Sequence, residues 1–295
     1  MSFTGLLTLA ASVLGLALPA GAGAEPPGSV VFSANRDGDH ELYRVAATGG
    51  TPTRLTRNRW NDAAPAVSPN GRLVAFVSDR DGDEEIFLMR LDGTGVRQLT
   101  HNRRADHSPA WSPNGRRLVF ASDRSGNFEL YAMLRGGAGV RRLTRNPAVD
   151  VQPAWSPDGR RIAFASTRAD GQFDVYSMAR DGTDVQRLTL ETGTEEEPVA
   201  DMAPGWSPDG ARIAFSSTRG GVIDDIWTMD ADGSDLVQVT ATPIVDEWTP
   251  RFSPDGDWLL FTASSLAGGL RIVVARVDGS ERRRLAGGLF SSWAP

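Results

Sequence analysis

Pro153-Ala154-Trp155-Ser156-Pro157-Asp158-Gly159-Arg160-Arg161-Ile162-Ala163-Phe164 decides the fold, because the chain writes this stretch repeatedly. Residues 109–120 read Pro-Ala-Trp-Ser-Pro-Asn-Gly-Arg-Arg-Leu-Val-Phe, and residues 65–76, 204–215 and 250–261 are weaker copies. The Ser-Pro-Asx-Gly cores begin at Ser68, Ser112, Ser156, Ser207 and Ser253, a step of roughly 44 to 51 residues. A period of that size, carried by short strands and turn residues, marks a propeller blade.

Each repeat holds four strand signals. In the copy after Asp150, Ala154-Trp155-Ser156 is the first strand, ended by Pro157-Asp158-Gly159, where proline presets φ and glycine accepts a positive one. Arg161 to Ser166 is the second and is nearly continuous in apolar residues, as a strand covered on both faces should be. Phe173 to Met178 and Val185 to Thr189 follow, each after an Asp-Gly turn. Second-strand phenylalanines recur at Phe32, Phe76, Phe120, Phe164, Phe215 and Phe261, so the fold class is all-β: a six-bladed β-propeller of four-stranded antiparallel blades. The first unit lacks an innermost strand, and the terminal Ser291-Ser292-Trp293-Ala294-Pro295 overlays Pro109-Ala110-Trp111-Ser112-Pro113. The C-terminal segment, Ser291–Pro295, is therefore expected to complete blade 1 and leave no raw sheet edge.

With 295 residues, the chain reads as one closed array over residues 25–295 rather than two domains. A net charge of −6 argues against a general nucleic-acid binder, and the absence of cysteine excludes disulfides and thiolate chemistry. Leu6 to Leu18 is apolar and leads through Pro19 to Ala22-Gly23-Ala24, so residues 1–24 read as a secretory signal peptide, although Met1 to Gly5 carries no Arg or Lys. The mature protein is then periplasmic or secreted, with no membrane span after cleavage.

The repeats resemble the TolB-type, WD-like propeller repeat, on the strength of Trp155-Ser156-Pro157-Asp158-Gly159, Ser166-Thr167-Arg168 and Asp174-Val175-Tyr176. The resemblance runs from about residue 29 to the end. It implies a six-bladed propeller, export to the periplasm and protein binding within a Tol–Pal-like envelope system. TolB-type proteins carry an α/β domain before the propeller, and here the signal segment leads straight into the first blade. The partner expected is a protein, with an envelope lipoprotein as candidate, and the chain is expected to act as a monomer without nucleic acid.

Two charged positions recur. An acid precedes the first strand at Asp62, Asp106, Asp150, Asp201 and Asp246, and an Arg lies four residues past the second-strand Phe at Arg36, Arg80, Arg124, Arg168 and Arg219. One reading is an acidic ring at the channel mouth that binds a cation or a basic partner. The other is structural, with the Arg of each blade pairing the acid that enters the next: Arg36 with Asp62, Arg80 with Asp106, Arg124 with Asp150, Arg168 with Asp201, Arg219 with Asp246. Ser265 and Gly288 replace the Arg and the acid at the junction of the sixth and first blades, which favours the paired reading.

Candidate partner-binding residues lie in the connections between blades: Trp60, His101, His107, Met202, Trp248 and, in the long Leu190–Ala203 connection, Glu195, Glu196 and Glu197. Trp111, Trp155, Trp206 and Trp293 occupy blade-core positions and are assigned to packing. No Gly-x-Ser-x-Gly elbow or nucleophilic cysteine is present, so no catalytic residue is assigned. No cofactor or metal ligand is assigned either. Calcium, in the channel or at the Asp-Gly-Asp turns of residues 37–39 and 81–83, is the alternative to an empty channel. The competing function is a metal-dependent or carbohydrate-active propeller enzyme, lyase- or hydrolase-like. The resemblance brings in that alternative because oligogalacturonate lyases of this kind use clustered histidines, and this chain has three: His40, His101 and His107.

Overall fold

Short apolar strands alternate with Pro-Asx-Gly and Asp-Gly turns, and in the computed structural model they assemble into six four-stranded antiparallel sheets. The structure describes residues 24–190, 193, 198–265 and 269–295. The expected signal segment, Ala24 apart, therefore lies outside the described residues, as do Glu195, Glu196 and Glu197.

Five blades are consecutive in sequence, their first strands being Asp62–Val67, Asp106–Trp111, Asp150–Trp155, Asp201–Trp206 and Val245–Phe252. Blade one is the exception. Its second to fourth strands are Ser29–Asn35, His40–Ala46 and Thr53–Arg54, and its innermost strand is Leu289–Ala294 from the far end of the chain. The register runs Ser29 to Ala294, Val30 to Trp293, Val31 to Ser292 and Phe32 to Ser291. The expected closure is therefore present, and the closing strand starts slightly earlier than the terminal tract suggested.

Closure is more than one ladder. The Trp293 indole Nε1–H donates to the Arg251 carbonyl of blade six at 3.0 Å, and Ser292 Oγ accepts the Val67 amide of blade two at 3.0 Å. One strand thus ties three blades together.

The six second-strand phenylalanines are fully buried between neighbouring sheets. Four of them sit 5.8–5.9 Å from a third-strand aromatic ring of their own blade, as in Phe120–Tyr131 and Phe164–Tyr176. Separate apolar clusters span adjacent blades, one of them joining Val119 and Leu130 of blade three to Ile162 and Phe164 of blade four. Each blade therefore buries its apolar face only against a neighbour, and the ring stands or falls as a whole.

A bulge kinks every inner strand at the same place. Ala64, Ser108, Gln152, Ala203, Thr249 and Phe290 all have φ between 46° and 57°, one per blade. None is glycine, so the ring holds six residues in a left-handed conformation that side chains disfavour.

Removing residues 291–295 should melt all six blades together, and Trp293→Ala alone should destabilise by about 3–5 kcal/mol. Urea unfolding followed by far-UV circular dichroism measures both. A truncated chain with the wild-type midpoint would show that the ring closes without its terminal strand.

Candidate functional site

Four of the repeated acids, Asp62, Asp106, Asp150 and Asp201, are fully buried, and each is bracketed by groups of its own blade, whereas Asp246 is half-buried. Asp62 lies opposite Ser78 across the first hairpin, and Arg80 follows Ser78 by two residues. The Ser78 hydroxyl donates to Asp62 Oδ1 at 2.6 Å, Arg80 Nη2 donates to the same oxygen at 2.8 Å, and Arg80 Nε donates to Ser78 Oγ at 2.9 Å. Arg124 brackets Asp106 at 2.6 Å, Arg168 brackets Asp150 at 2.8 Å, and Arg219 pairs with Asp201.

The expectation that each Arg reaches the acid of the next blade is therefore corrected. Arg80 bonds Asp62, not Asp106; Arg124 bonds Asp106, not Asp150; Arg168 bonds Asp150, not Asp201; Arg219 bonds Asp201, not Asp246. The reason is hairpin geometry: antiparallel pairing puts the start of the first strand beside the end of the second, so a guanidinium two residues on is already in reach. Stacking holds it there, with Arg80 Cζ 4.6 Å from the Phe87 ring and Arg168 Cζ 5.0 Å from the Tyr176 ring of their own blades.

The two irregular blades follow from the same geometry. In blade six the buried acid opposite Ala263 is Glu247, not Asp246, and Arg282 of the same blade pairs with it. In blade one the corresponding position is Gly288, where a Cβ would come within 2.6 Å of the Phe32 ring and the Ser33 carbonyl. No acid fits there, and Arg36 stacks over Tyr43 at 4.4 Å instead of meeting Asp62.

What crosses the seam is asparagine. Asn58 donates through Nδ2 to Asp62 of blade two at 2.7 Å and through its amide to Glu41 of blade one at 2.5 Å. Asn146 joins Glu129 at 2.8 Å to Asp150 at 2.7 Å, and Asn102 joins Glu85 to Asp106. The signal was in the sequence as Leu-Thr-x-Asn at residues 55–58, 99–102 and 143–146.

Glu41, Glu85 and Glu129 form a second buried acid set at the head of the third strands. Arg54 neutralises Glu41 at 2.8 Å and Arg142 neutralises Glu129 at 2.7 Å. Blade two has Gln98 at that position, and its amide bonds Asp81 instead. Burial, with Asp106 close by, pushes Glu85 up to about 7. Asp81, Asp83 and Glu85 also form a group of three carboxylates whose oxygens lie within 4.8 Å of one another. No histidine belongs to it.

The six inner strands surround a central cavity of ≈ 630 Å³. Among the candidate contact residues, His107 and Met202 line it, whereas Trp60, His101 and Trp248 do not. His107 is half-buried, its Nδ1 3.0 Å from Ser108 Oγ and its ring 4.5 Å from Phe128, and burial lowers its pKa. Trp60 is half-buried under Arg59 and Arg80, at 5.3 and 5.9 Å, Trp248 is half-buried, and His101 is exposed. Trp111 and Trp293 do pack, each donating its indole N–H to an inner-strand carbonyl of the preceding blade. Trp155 and Trp206 pack against the apolar clusters of their seams as well, and with Trp111 they line the cavity. The described lining residues include one carboxylate, Glu84, and one guanidinium, Arg251, which is not the oxygen cage calcium takes.

Sequence reasoning missed one feature of the face carrying the inter-blade connections. Arg57, Arg59, Arg103, Arg104 and Arg145 are exposed on three consecutive connections, beside exposed His101. None of the five forms an ion pair with a described residue. They form a basic arc on a chain of net charge −6.

Fold and site together define a closed six-bladed β-propeller whose blades share one buried acid–arginine frame. The chain matches the TolB beta propeller domain family over residues 103–201 and the Tricorn protease N-terminal beta propeller domain family over residues 27–133. It is 36% identical over 91 residues to an uncharacterized protein of Agrobacterium fabrum, covering 31% of this chain and 30% of that protein. It is 49% identical over 41 residues to the Tol-Pal system protein TolB of Anaeromyxobacter dehalogenans, covering 14% of this chain and 9% of that protein. Both matches span well under two thirds of those relatives. Among solved structures, TolB from Acinetobacter baumannii superposes with a TM-score of 0.80 at 23% identity, covering 92% of this chain and 68% of that one. An oligogalacturonate lyase from Vibrio parahaemolyticus superposes at 0.60 with 13% identity, covering 87% and 74%, a likeness of fold. This chain is a six-bladed propeller whose repeats are similar to those of the TolB beta propeller domain family over residues 103–201.

Glu85 carries a pH prediction. Its pKa in the fold lies above the ordinary 4.5, so the stability it contributes is present at low pH and is lost as pH rises through about 7. Gln98→Arg supplies the cation that Glu41 and Glu129 already have, so it should reduce the fall in melting temperature between about pH 5 and about pH 8. An unchanged difference between wild type and variant would place the pH dependence elsewhere.

Proposed function

We propose that the chain is an exported, TolB-like binding propeller that docks an acidic protein surface on the face carrying its inter-blade connections. The observation that carries this reading is the arc of Arg57, Arg59, Arg103, Arg104 and Arg145. Five exposed guanidinium groups without carboxylate partners repel one another and steer an anionic partner toward one face. Loops on a rigid ring are natural places for such contacts, and Trp60 and His101 lie within the same arc.

Export rests on the reading of residues 1–24 as a signal peptide. Among the described residues no helix is long and apolar enough to cross a membrane. The 41-residue likeness to a Tol-Pal system protein supports an envelope setting, with an envelope lipoprotein as candidate partner and a monomeric propeller. The enzyme alternative has less to draw on. His107 reaches the channel wall, while His101 is exposed and His40 begins the third strand of blade one.

The test uses the full chain, tagged at its N-terminal side after the signal segment, to capture partners from envelope extract. The expected result is a salt-sensitive partner that is lost from the Arg57→Glu, Arg59→Glu, Arg103→Glu, Arg104→Glu variant while the variant's melting temperature stays near wild type. Charge reversal on a steering surface should cost most in association rate and at low salt. Equal retention by wild type and variant would remove the arc from the function.

A further inference from the structure

The inner strands share one register, and it places Ala66, Ala110, Ala154, Gly205, Arg251 and Ser292 at equivalent positions, opposite Ala75, Val119, Ala163, Ala214, Leu260 and Val31. All six line the cavity except for one point of contrast: five are small, and the sixth is an arginine. Space for it comes from the neighbouring blade. A Cβ on Gly205 would lie 2.8 Å from the Pro250 carbonyl, 3.4 Å from Arg251 Nη1 and 3.5 Å from Arg251 Cδ. Gly205 has no positive φ to explain it, so the missing side chain makes room for the Pro250 carbonyl and lets the strand that carries Arg251 approach closely.

Arg251 Nη1 donates to the carbonyls of Pro250 at 2.8 Å, Ala203 at 3.2 Å and Pro204 at 3.3 Å. Among the described residues no carboxylate pairs with it, and its Nη2 and Nε make no hydrogen bond. Burial alone acts on the group and lowers its pKa to about 10, so it stays charged at neutral pH. Other donors nearby are also unmet. Ser291 is 8% exposed and its hydroxyl has no partner, and the buried indole N–H groups of Trp155 and Trp206 have none among the described residues. Arg251 is half-buried, and three carbonyls answer only one edge of its guanidinium.

We infer that the central channel is a binding site for a single carboxylate carried on an apolar body, with Arg251 as the residue that holds the carboxylate. The free edge of the guanidinium, Nε and Nη2, matches the two oxygens of a carboxylate in a fork. One cation suits a monoanion, whereas a phosphate dianion would ask for more positive charge than this wall offers. Alanines, prolines and the Trp155 and Trp206 rings make up much of the remaining wall, and ≈ 630 Å³ accommodates a small organic acid or a short chain end. This inference concerns the inside of the ring and does not rest on the protein-binding reading of the outer face.

The experiment is calorimetry on the full mature chain with four probes. Phenylacetate and phenylacetamide form one pair, and Ala-Ala-Phe with a free or an amidated C-terminus forms the other. Each acid should bind about ten- to a hundred-fold more tightly than its amide, the range expected for a hydrogen-bonded charge. Whichever acid binds better tells whether the source of the carboxylate is a small molecule or a chain end. Arg251→Gln should lose that preference, and Gly205→Ala should weaken binding of the acids by pushing on the Pro250 carbonyl and so displacing the strand that carries Arg251. The indole N–H resonances of Trp155 and Trp206 should shift with the acids only. If Arg251→Gln does not fold, the acid-to-amide comparison on the wild-type chain decides alone. Equal binding of acid and amide, or no binding of either acid, would overturn the inference.

Discussion

The pairing of Leu289–Ala294 with Ser29–Ser33 is the constraint on which the other features depend. A propeller blade is a twisted four-stranded sheet that cannot bury its apolar faces alone. Its fully buried phenylalanine needs a sheet on each side. Leaving the ring open would expose the faces of two blades at once and two sheet edges with them. The terminal strand removes that failure by belonging to blade one in its ladder and to blades six and two in its side chains. Closure also fixes the circumference, and so the width of the channel in which Arg251 sits.

Within the closed ring, polar groups are buried in a repeated frame rather than avoided. Blades two to five place a carboxylate at the inner end of the first hairpin and neutralise it with an arginine of the same blade, while asparagine carries the first three connections between blades. Burying a carboxylate is tolerable only when its lone pairs are met, and Asp62 and Asp150 meet that demand with three kinds of donor each. Where a partner is missing the consequence is local, as at Glu85, whose proton is retained up to about 7 for want of the arginine that Gln98 replaces.

Periodic features were legible in the sequence because they repeat. The six phenylalanines, the Pro-Asx-Gly turns and the overlay of Trp293 on Trp111 identify blades, strands and closure from spacing alone. Contacts between periodic features were less legible. Arg80 follows Asp62 by 18 residues and precedes Asp106 by 26, and at either separation spacing alone could not say which acid it meets. Hairpin pairing decides that, and it favours the acid behind. The basic arc escaped notice for another reason: Arg57, Arg103 and Arg145 occupy connections whose sequence varies, and only the ring brings those connections to one face.

Departures from the repeat carry the remaining information, and they are most telling in pairs. Pro204-Gly205-Trp206 and Pro250-Arg251-Phe252 both depart from Pro-Ala-Trp at the same position, in adjacent copies. Either change alone would be unfavourable: glycine for alanine loosens a strand, and an alanine at 205 would press its Cβ on the Pro250 carbonyl next to Arg251. Together they make a single arrangement in which one blade gives up a side chain so that the next can hold a charge inside the channel. Structural economy does not call for such an arrangement, since the other four blades pack with alanine or serine at that layer. A half-buried guanidinium on the channel wall, with Nε and Nη2 unanswered, is an arrangement suited to a ligand.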